Sequence, residues 1–560
     1  MLPRTASPLA LPTRRLPAAA LAAGIALSLI LAGCSRKIEH TDEAASAEPA
    51  YVEKALMAAD AQPAYAPPAS ANTERYAKTE TNPIHRAAEQ PVSTFSIDVD
   101  TGSYANVRRM LAAGELPPKD AVRVEELINY FDYGYPRPSS KDTPFKVSTE
   151  LAPSPWNAKR VLMQIGIQGY DVDKSELPPA NLVLLIDTSG SMDEPDKLPL
   201  LKRAFAQLVP QLREQDRISI VAYAGSAGLV LPPTPGDHGG EILDALERLQ
   251  AGGSTNGGEG IQLAYATARQ AFVKGGINRV LLATDGDFNV GVSDQSALET
   301  IVADQRKSGI ALSTLGFGTG NYNDAMAEQL ADIGDGNHVY IDTALEAQKV
   351  LNEELGSTLL TIAGDVKVQV EFNPAVVAEY RLIGYENRVL KREDFNNDRV
   401  DAGDIGAGHD VTALYELALV GSGGESVDPL RYGKGKQAEA AGPASADGKA
   451  GEVALLRLRY KRPGESDSRL IEAPLLRSDI AGEPSERMRF AAAVAGYGDM
   501  LRGGTYVGQN FGWDGVIGLA RSARGDDRDG YRGEFLQLVQ TAKSLQAAGG
   551  ATQSAAVAAE

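Results

Sequence analysis

Two aspartate-led stretches carry the residue types that could do chemistry. In the first, Asp187-Thr188-Ser189-Gly190-Ser191, one carboxylate and two hydroxyls share a single tight turn. Thr255 in the Gly-rich stretch GGSTNGGEG adds a hydroxyl, and Asp285 in NRVLLATDGD adds a second carboxylate. Hard oxygen donors of this kind suit Mg²⁺, which favours near-octahedral geometry and keeps some of its waters. Taken singly, each segment reads better as a turn or helix cap, because Ser, Thr, Gly and Asp are common there. Three such segments acting together point to a metal site.

The elements that must position these residues are legible as alternating patterns. NLVLLID, RISIVAYAG, NRVLLATD, ALSTLGFG and NHVYID are short apolar runs of buried-strand type. Between them lie helical stretches such as KLPLLKRAFAQLVPQL and GGEGIQLAYATARQAF. Strand and helix in alternation predict a doubly wound α/β domain over residues 176–360 with a mainly parallel sheet. Asp187 and Asp285 then fall at the carboxyl ends of strands, where open α/β sheets bind ligands.

This arrangement resembles the von Willebrand factor type A (VWA) domain and its metal-ion-dependent adhesion site. The match covers Asp187, Ser189, Ser191, Thr255 and Asp285 in order. The resemblance implies a Rossmann-like fold and a Mg²⁺ (or Mn²⁺) ion held partly through waters, with one coordination position open. It also implies that a partner protein presenting an acidic side chain can fill that position. Asp287 and Asn289 are expected to be turn residues or supporting partners. Asp193 and Glu194 are expected to open the first helix, where acids favour the N-terminal dipole.

The second aspartate-led stretch, Asp100-Thr101-Gly102-Ser103, follows an apolar run in the manner of a pepsin-like aspartic protease. That chemistry needs two carboxylates sharing a proton, and the chain has one such motif. It runs directly into YANVRRML, a helical pattern, so a turn and helix N-cap with Thr101 or Ser103 as capping oxygen is expected. REDFNNDRVDAGDIG places Asp394, Asn396 and Asp398 at EF-hand positions. Arg399 stands where Gly is required and Ile405 where Glu is required, so it reads as a polar turn. No zinc spacing, Walker loop or G-x-S-x-G elbow is present.

With 560 residues the chain is long enough for about three or four domains of roughly 100–200 residues. Its 43% hydrophobic and 23% charged residues fit folded globular protein. A net charge of −19 argues against a phosphate backbone, so no nucleic-acid partner is expected. Arg4, Arg14 and Arg15, then PAAALAAGIALSLI and Leu31-Ala32-Gly33-Cys34, form a charged, an apolar and a small-residue segment in turn. This resembles a bacterial lipoprotein signal (residues 1–34) with Cys34 as the lipidated residue. Removing three arginines and no acid from −19 leaves −22 on the mature chain. Cys34 is the only cysteine, so with Cys34 lipidated no thiol remains and disulfides are excluded. Ser35 after it suggests the outer membrane of a Gram-negative cell.

Residues 35–90 are rich in Ala, Pro, Glu and Ser and are expected to be a disordered tether. Residues 91–175 read as an N-terminal flanking domain of helices then strands, and 361–475 as a β-rich domain with a low-complexity loop at 421–451. Residues 476–545 read as a C-terminal helical region and 546–560 as a disordered tail. Strands on both flanks raise the expectation of one β-sandwich with the α/β domain inserted between its halves. FSIDVDTGSYANVRRML, VEELINYFDY, FAAAVAGYGDMLRG and YRGEFLQLV also resemble the flanks of bacterial YfbK-like proteins. The expected function is a lipid-anchored envelope lipoprotein, not an enzyme, whose VWA domain mediates metal-dependent protein binding. The alternatives are a metal-dependent hydrolase, with Glu259 the nearest base in sequence, or an envelope scaffold with a purely structural metal.

Overall fold

The computed structural model describes residues 72–97, 100–286, 295–353, 359–400, 402–430 and 451–557. Cys34 and its signal segment, Asp287 and Asn289, and most of the loop at 421–451 lie outside them. In chain order the first elements are β1 (His85–Arg86), β2 (Val92–Ser96), α1 (Gly102–Ala112), α2 (Val124–Asn129), β3 (Phe145–Pro153) and β4 (Arg160–Gly169). The α/β domain opens with β5 (Ala180–Asp187), α3 (Leu198–Leu208), β6 (Arg217–Tyr223), β7 (Ala227–Pro235), α4 (Gly239–Glu247) and α5 (Gly257–Gln270). It continues with β8 (Ile277–Thr284), α6 (Gln295–Lys307), β9 (Ala311–Gly316), α7 (Asp324–Ile333), β10 (His338–Tyr340) and α8 (Ala344–Gln348). Then come β11 (Thr361–Phe372), β12 (Val377–Ile383), β13 (Ile405–Gly406), β14 (Asp410–Leu419), β15 (Glu452–Lys461) and β16 (Arg469–Leu476). The chain closes with α9 (Glu486–Leu501), α10 (Gly508–Ser522) and α11 (Tyr531–Val557).

The α/β sheet has the order β10-β9-β8-β5-β6-β7, parallel except for the antiparallel edge strand β7. Side chains of a strand alternate between faces, and both faces here are covered. Leu182, Leu184 and Ile186 of β5 join the core under α3 and α4. Val183 and Leu185 join the opposite core under α5, α6 and α7. That is why the strand reads as a continuous apolar run. β5, β6, β8 and β9 all point their carboxyl ends to one edge.

The flanking strands form two antiparallel sheets, one ordered β1-β12-β14-β4-β3 and one built on β11, with β2, β13, β15 and β16. β4, from before the α/β domain, pairs with β14, from after it, along nine positions from Arg160–Ala418 to Gln168–Asp410. The two flanking regions are therefore one β-sandwich interrupted by the α/β domain, not the separate domains 91–175 and 361–475. Val161, Met163, Ile165 and Ile167 of β4 meet Val368, Val370 and Leu456 in its core. Leu162 and Leu414 face the other way, onto Phe131, Phe490 and Phe535 of the helical layer. Burial on both faces makes β4 inaccessible along its whole length. Gly166 is required there, since an added Cβ would lie 2.1 Å from the Tyr135 ring.

Two other boundaries are corrected. Of the expected disordered tether at 35–90, residues 72–90 are ordered. Thr73 N donates to Gly320 O at 2.8 Å and Arg75 N to Tyr322 O at 2.9 Å, while β1 pairs with β12. Residues 72–90 bury little apolar surface but satisfy backbone groups at the edges of both domains, a contribution that composition does not reveal. The expected tail at 546–560 is helical to Val557 as the end of α11, consistent with the high helix propensity of its alanines. No helix among the described residues is long and apolar enough to cross a membrane.

Candidate metal centre

The turn after β5 and the two neighbouring loops meet at the carboxyl edge of the α/β sheet. Thr188 N donates to Tyr223 O, Gly252 N to Thr188 O and Gly190 N to Gly253 O, at 2.8–3.0 Å. These backbone bonds seat the Gly-rich loop carrying Thr255 against the Asp187–Ser191 turn. Gly253 takes φ +87°, a conformation open to glycine at little cost.

Asp187 is fully buried, and its Oδ1 accepts from Ser189 N at 2.9 Å. Its Oδ2 accepts from Thr284 Oγ1 at 3.3 Å. The Ser189 and Ser191 hydroxyls lie 3.0 Å apart. Asp285, also fully buried, accepts from Lys197 Nζ at 3.0 Å and from Asn321 Nδ2 at 3.1 Å, and Ser191 bonds to it as well. Four of the five expected ligands, Asp187, Ser189, Ser191 and Asp285, thus form one linked cluster. Thr255 is buried on the adjoining loop, and its side chain makes no hydrogen bond to the other four.

The two carboxylates differ electrostatically. Burial pushes Asp187 up to about 6; the nearby Asp285 charge adds to this, and bonds from Ser189 and Tyr223 oppose it. Burial would also raise Asp285, but Lys197, Ser191 and Asn321 together hold it below the usual carboxylate range. The donor set is all oxygen, combines two carboxylates with hydroxyls, and leaves one carboxylate without a cation. It fits a hard divalent ion.

Lys197 and Asn321 are the residues that sequence reading missed. Lys197 precedes α3, and its stem lies against Gly318, where an added Cβ would come within 2.3 Å of it. Asn321, on the loop after β9, accepts from the same ammonium at 3.0 Å. The clue in the sequence was a cation six residues beyond an acid-and-hydroxyl motif; its partner Asp285 lies 88 residues further on. Asp193 and Glu194 do not open α3, because a 3₁₀ turn at Gly190–Asp193 intervenes and α3 starts at Leu198. Glu259 is exposed and engaged with Asn256, which accepts from Glu259 N and donates to its carboxylate. It is a helix-capping partner in the first turn of α5.

The other motifs serve the scaffold. Asp100 accepts from His338 N at 2.7 Å and from Arg388 at 3.5 Å, and α1 follows at once. Neither Thr101 nor Ser103 caps that helix through its side chain: Glu126 accepts from Ser103 N at 2.8 Å, and the Ser103 hydroxyl donates to Ala121 O. Asn396 and Asp398 of the EF-hand-like stretch accept from Arg459 and Ser468 at the sandwich edge.

The family described as "von Willebrand factor type A domain" matches residues 181–354, and "Uncharacterized protein YfbK, C-terminal" matches 357–545. A von Willebrand factor family matches 70–164. The chain is 51% identical over 483 residues to "Uncharacterized protein YfbK" of Escherichia coli strain K12, covering 85% of this chain and 82% of that one. It is 31% identical over 197 residues to "Uncharacterized protein sll0103" of Synechocystis, covering 35% of this chain and 45% of that one. Among solved structures, "von Willebrand factor type A from Catenulispora acidiphila" aligns with TM-score 0.38 and 16% identity, over 71% of this chain and 89% of that one.

Proposed function

Because the chain belongs to the family of YfbK-like VWA proteins, a domain class often metal-dependent and often mediating protein interaction, we propose that it is a Mg²⁺-dependent protein-binding module. Asp187, Ser189, Ser191, Thr255 and Asp285 would hold the ion, with Mn²⁺ as a substitute. When bound, it supplies positive charge that neutral hydroxyls leave unquenched, and so attracts a carboxylate on a partner protein. The observation that carries this reading is the pairing of two buried carboxylates of which one, Asp187, has no cation beside it. The chain's own residues do the positioning: Thr284 and the Ser189 amide orient Asp187, and Lys197 and Asn321 fix Asp285. We further propose a lipid anchor at Cys34 and a place in the cell envelope, at the outer membrane of a Gram-negative bacterium. The reading is of a binding protein and not of an enzyme. What supports it is that Glu259, the candidate general base, is committed to its helix cap.

Crosslinking capture from native envelopes tests the proposal, comparing wild type with Asp187→Ala, each with Mg²⁺ or EDTA. A partner held only by wild type with Mg²⁺ is expected. Identical capture in all four conditions would overturn it.

A further inference from the structure

At the opposite, amino-terminal edge of the α/β sheet a cavity of about 660 Å³ opens between this domain and the β-sandwich. Its walls come from α6, the loop between α7 and β10, the start of β11 and the stretch leading into β13. Arg279, the third residue of β8, lines it and is only 4% exposed. Five arginines are buried among the described residues, and four of them meet carboxylates. Arg108 pairs with Asp342, Glu346 and Glu534; Arg123 with Glu126 and Asp324; Arg160 with Glu379 and Glu416; Arg381 with Glu416. Arg279 is the exception. Its Nη1 donates to Ser313 Oγ at 2.6 Å, its Nε has no hydrogen-bond partner, and no described carboxylate lies within ion-pair distance.

A desolvated guanidinium without a counter-ion is costly. Burial pushes this one down to about 10, with Asp404 and Asp335 only partly opposing from further away. The other two arginines of the cavity are already matched, Arg306 by Asp335 at 3.1 Å and Arg388 by Asp332 at 2.8 Å. We propose that this cavity is a binding site for a small organic carboxylate carrying its own amino or hydroxyl donors, the class of amino acids and short peptides, with the carboxylate seated on Arg279. The guanidinium fork suits a planar carboxylate through two parallel bonds. The wall also carries Glu299, Asp335 and Asp404, which would repel a phosphate dianion and can accept from donor groups on the same ligand. This site is independent of the metal centre.

The full chain is titrated by calorimetry and thermal melting with a panel of the common amino acids and triglycine, with acetate and inorganic phosphate as comparison arms. At least one amino acid or peptide is expected to bind saturably and raise the melting temperature, more tightly than acetate, while phosphate does not bind. Arg279→Gln weakens that binding at least tenfold without lowering the melting temperature of the ligand-free chain. Ala303→Trp, which fills the cavity from α6 and leaves Arg279 in place, abolishes it. Absence of binding across the panel, binding that survives both substitutions, or binding of phosphate alone would overturn the proposal. So would an Arg279→Gln chain that melts early, because the guanidinium would then be part of the scaffold.

Discussion

Strand β8 begins at a buried cation and ends at a buried anion, and the two are treated differently. Asp285 follows the strand's carboxyl end and is met by Lys197 at 3.0 Å, Asn321 and Ser191. Arg279, near its amino end, has a single serine hydroxyl. At one end the chain supplies the counter-charge itself; at the other it leaves a cavity where one would sit. Removing one member of a buried charge pair leaves the other uncompensated, whereas removing a buried charge that has no partner relieves a desolvation cost. The two ends should therefore respond oppositely to the loss of their charge.

The largest effect is expected at the matched end. Asp285→Ala strands Lys197 without its carboxylate and should cost about 3–5 kcal/mol, whereas Arg279→Met should cost less than about 1 kcal/mol without ligand. Urea unfolding of both variants, followed by a probe in the α/β domain, checks the contrast; equal losses would break it.

A third buried charge extends the comparison to the layer between α2 and the sandwich. Burial pushes Glu125 up to about 8, helped by Glu386 and Glu126, and its Oε2 has no hydrogen-bond partner. With its folded pKa above the unfolded value, the folded state holds the proton longer. Its contribution is therefore unaffected below the ordinary carboxylate range and lost progressively as pH rises towards 8. Glu125→Gln should flatten this decline and add about 1–3 kcal/mol at pH 8. Melting wild type and variant between pH 4.5 and 8.5 reads it, and parallel curves would dismiss Glu125 as the cause.

The smallest effect sharpens the role of Lys197. Its ammonium occupies one carboxylate of the candidate metal centre. Removing it by Lys197→Met should tighten Mg²⁺ binding by roughly tenfold, about 1.4 kcal/mol. Calorimetric titration of the metal alone decides. Weaker binding would instead show that the hold of Lys197 on Asp285 matters more to the metal than the competition of its ammonium for that carboxylate.

The sequence made most plain those features whose parts are close together or repeat. Asp187, Ser189 and Ser191 share one turn, and the alternating strands and helices put Thr255 and Asp285 on the same sheet edge. Buried strands such as β5 announced themselves because both of their faces pack. What stayed hidden depends on partners distant in the chain. Lys197 meets Asp285 only once β8 lies beside β5. The helix-capping oxygen near Ser103 belongs to Glu126 on the following helix, not to the residues beside it. Residues 72–90 looked like a tether because their contribution is backbone hydrogen bonds to Gly320 and Tyr322, which leave no mark on composition. Arg279 is visible as a charge within an apolar run, but its isolation is a property of the neighbours that other segments bring.

The interrupted sandwich also sets an order of events during synthesis. β4 ends at residue 169, and its partner β14 is complete only at residue 419. At about 5–20 residues per second, β4 must wait roughly 12–50 s for the strand that covers its free edge. An unpaired apolar edge is the kind of surface that recruits other chains. The α/β domain, with its own parallel sheet and two cores, can close within that interval. It would then hold residues 180 and 348 at fixed positions and shorten the loop that β14 must bridge to find β4.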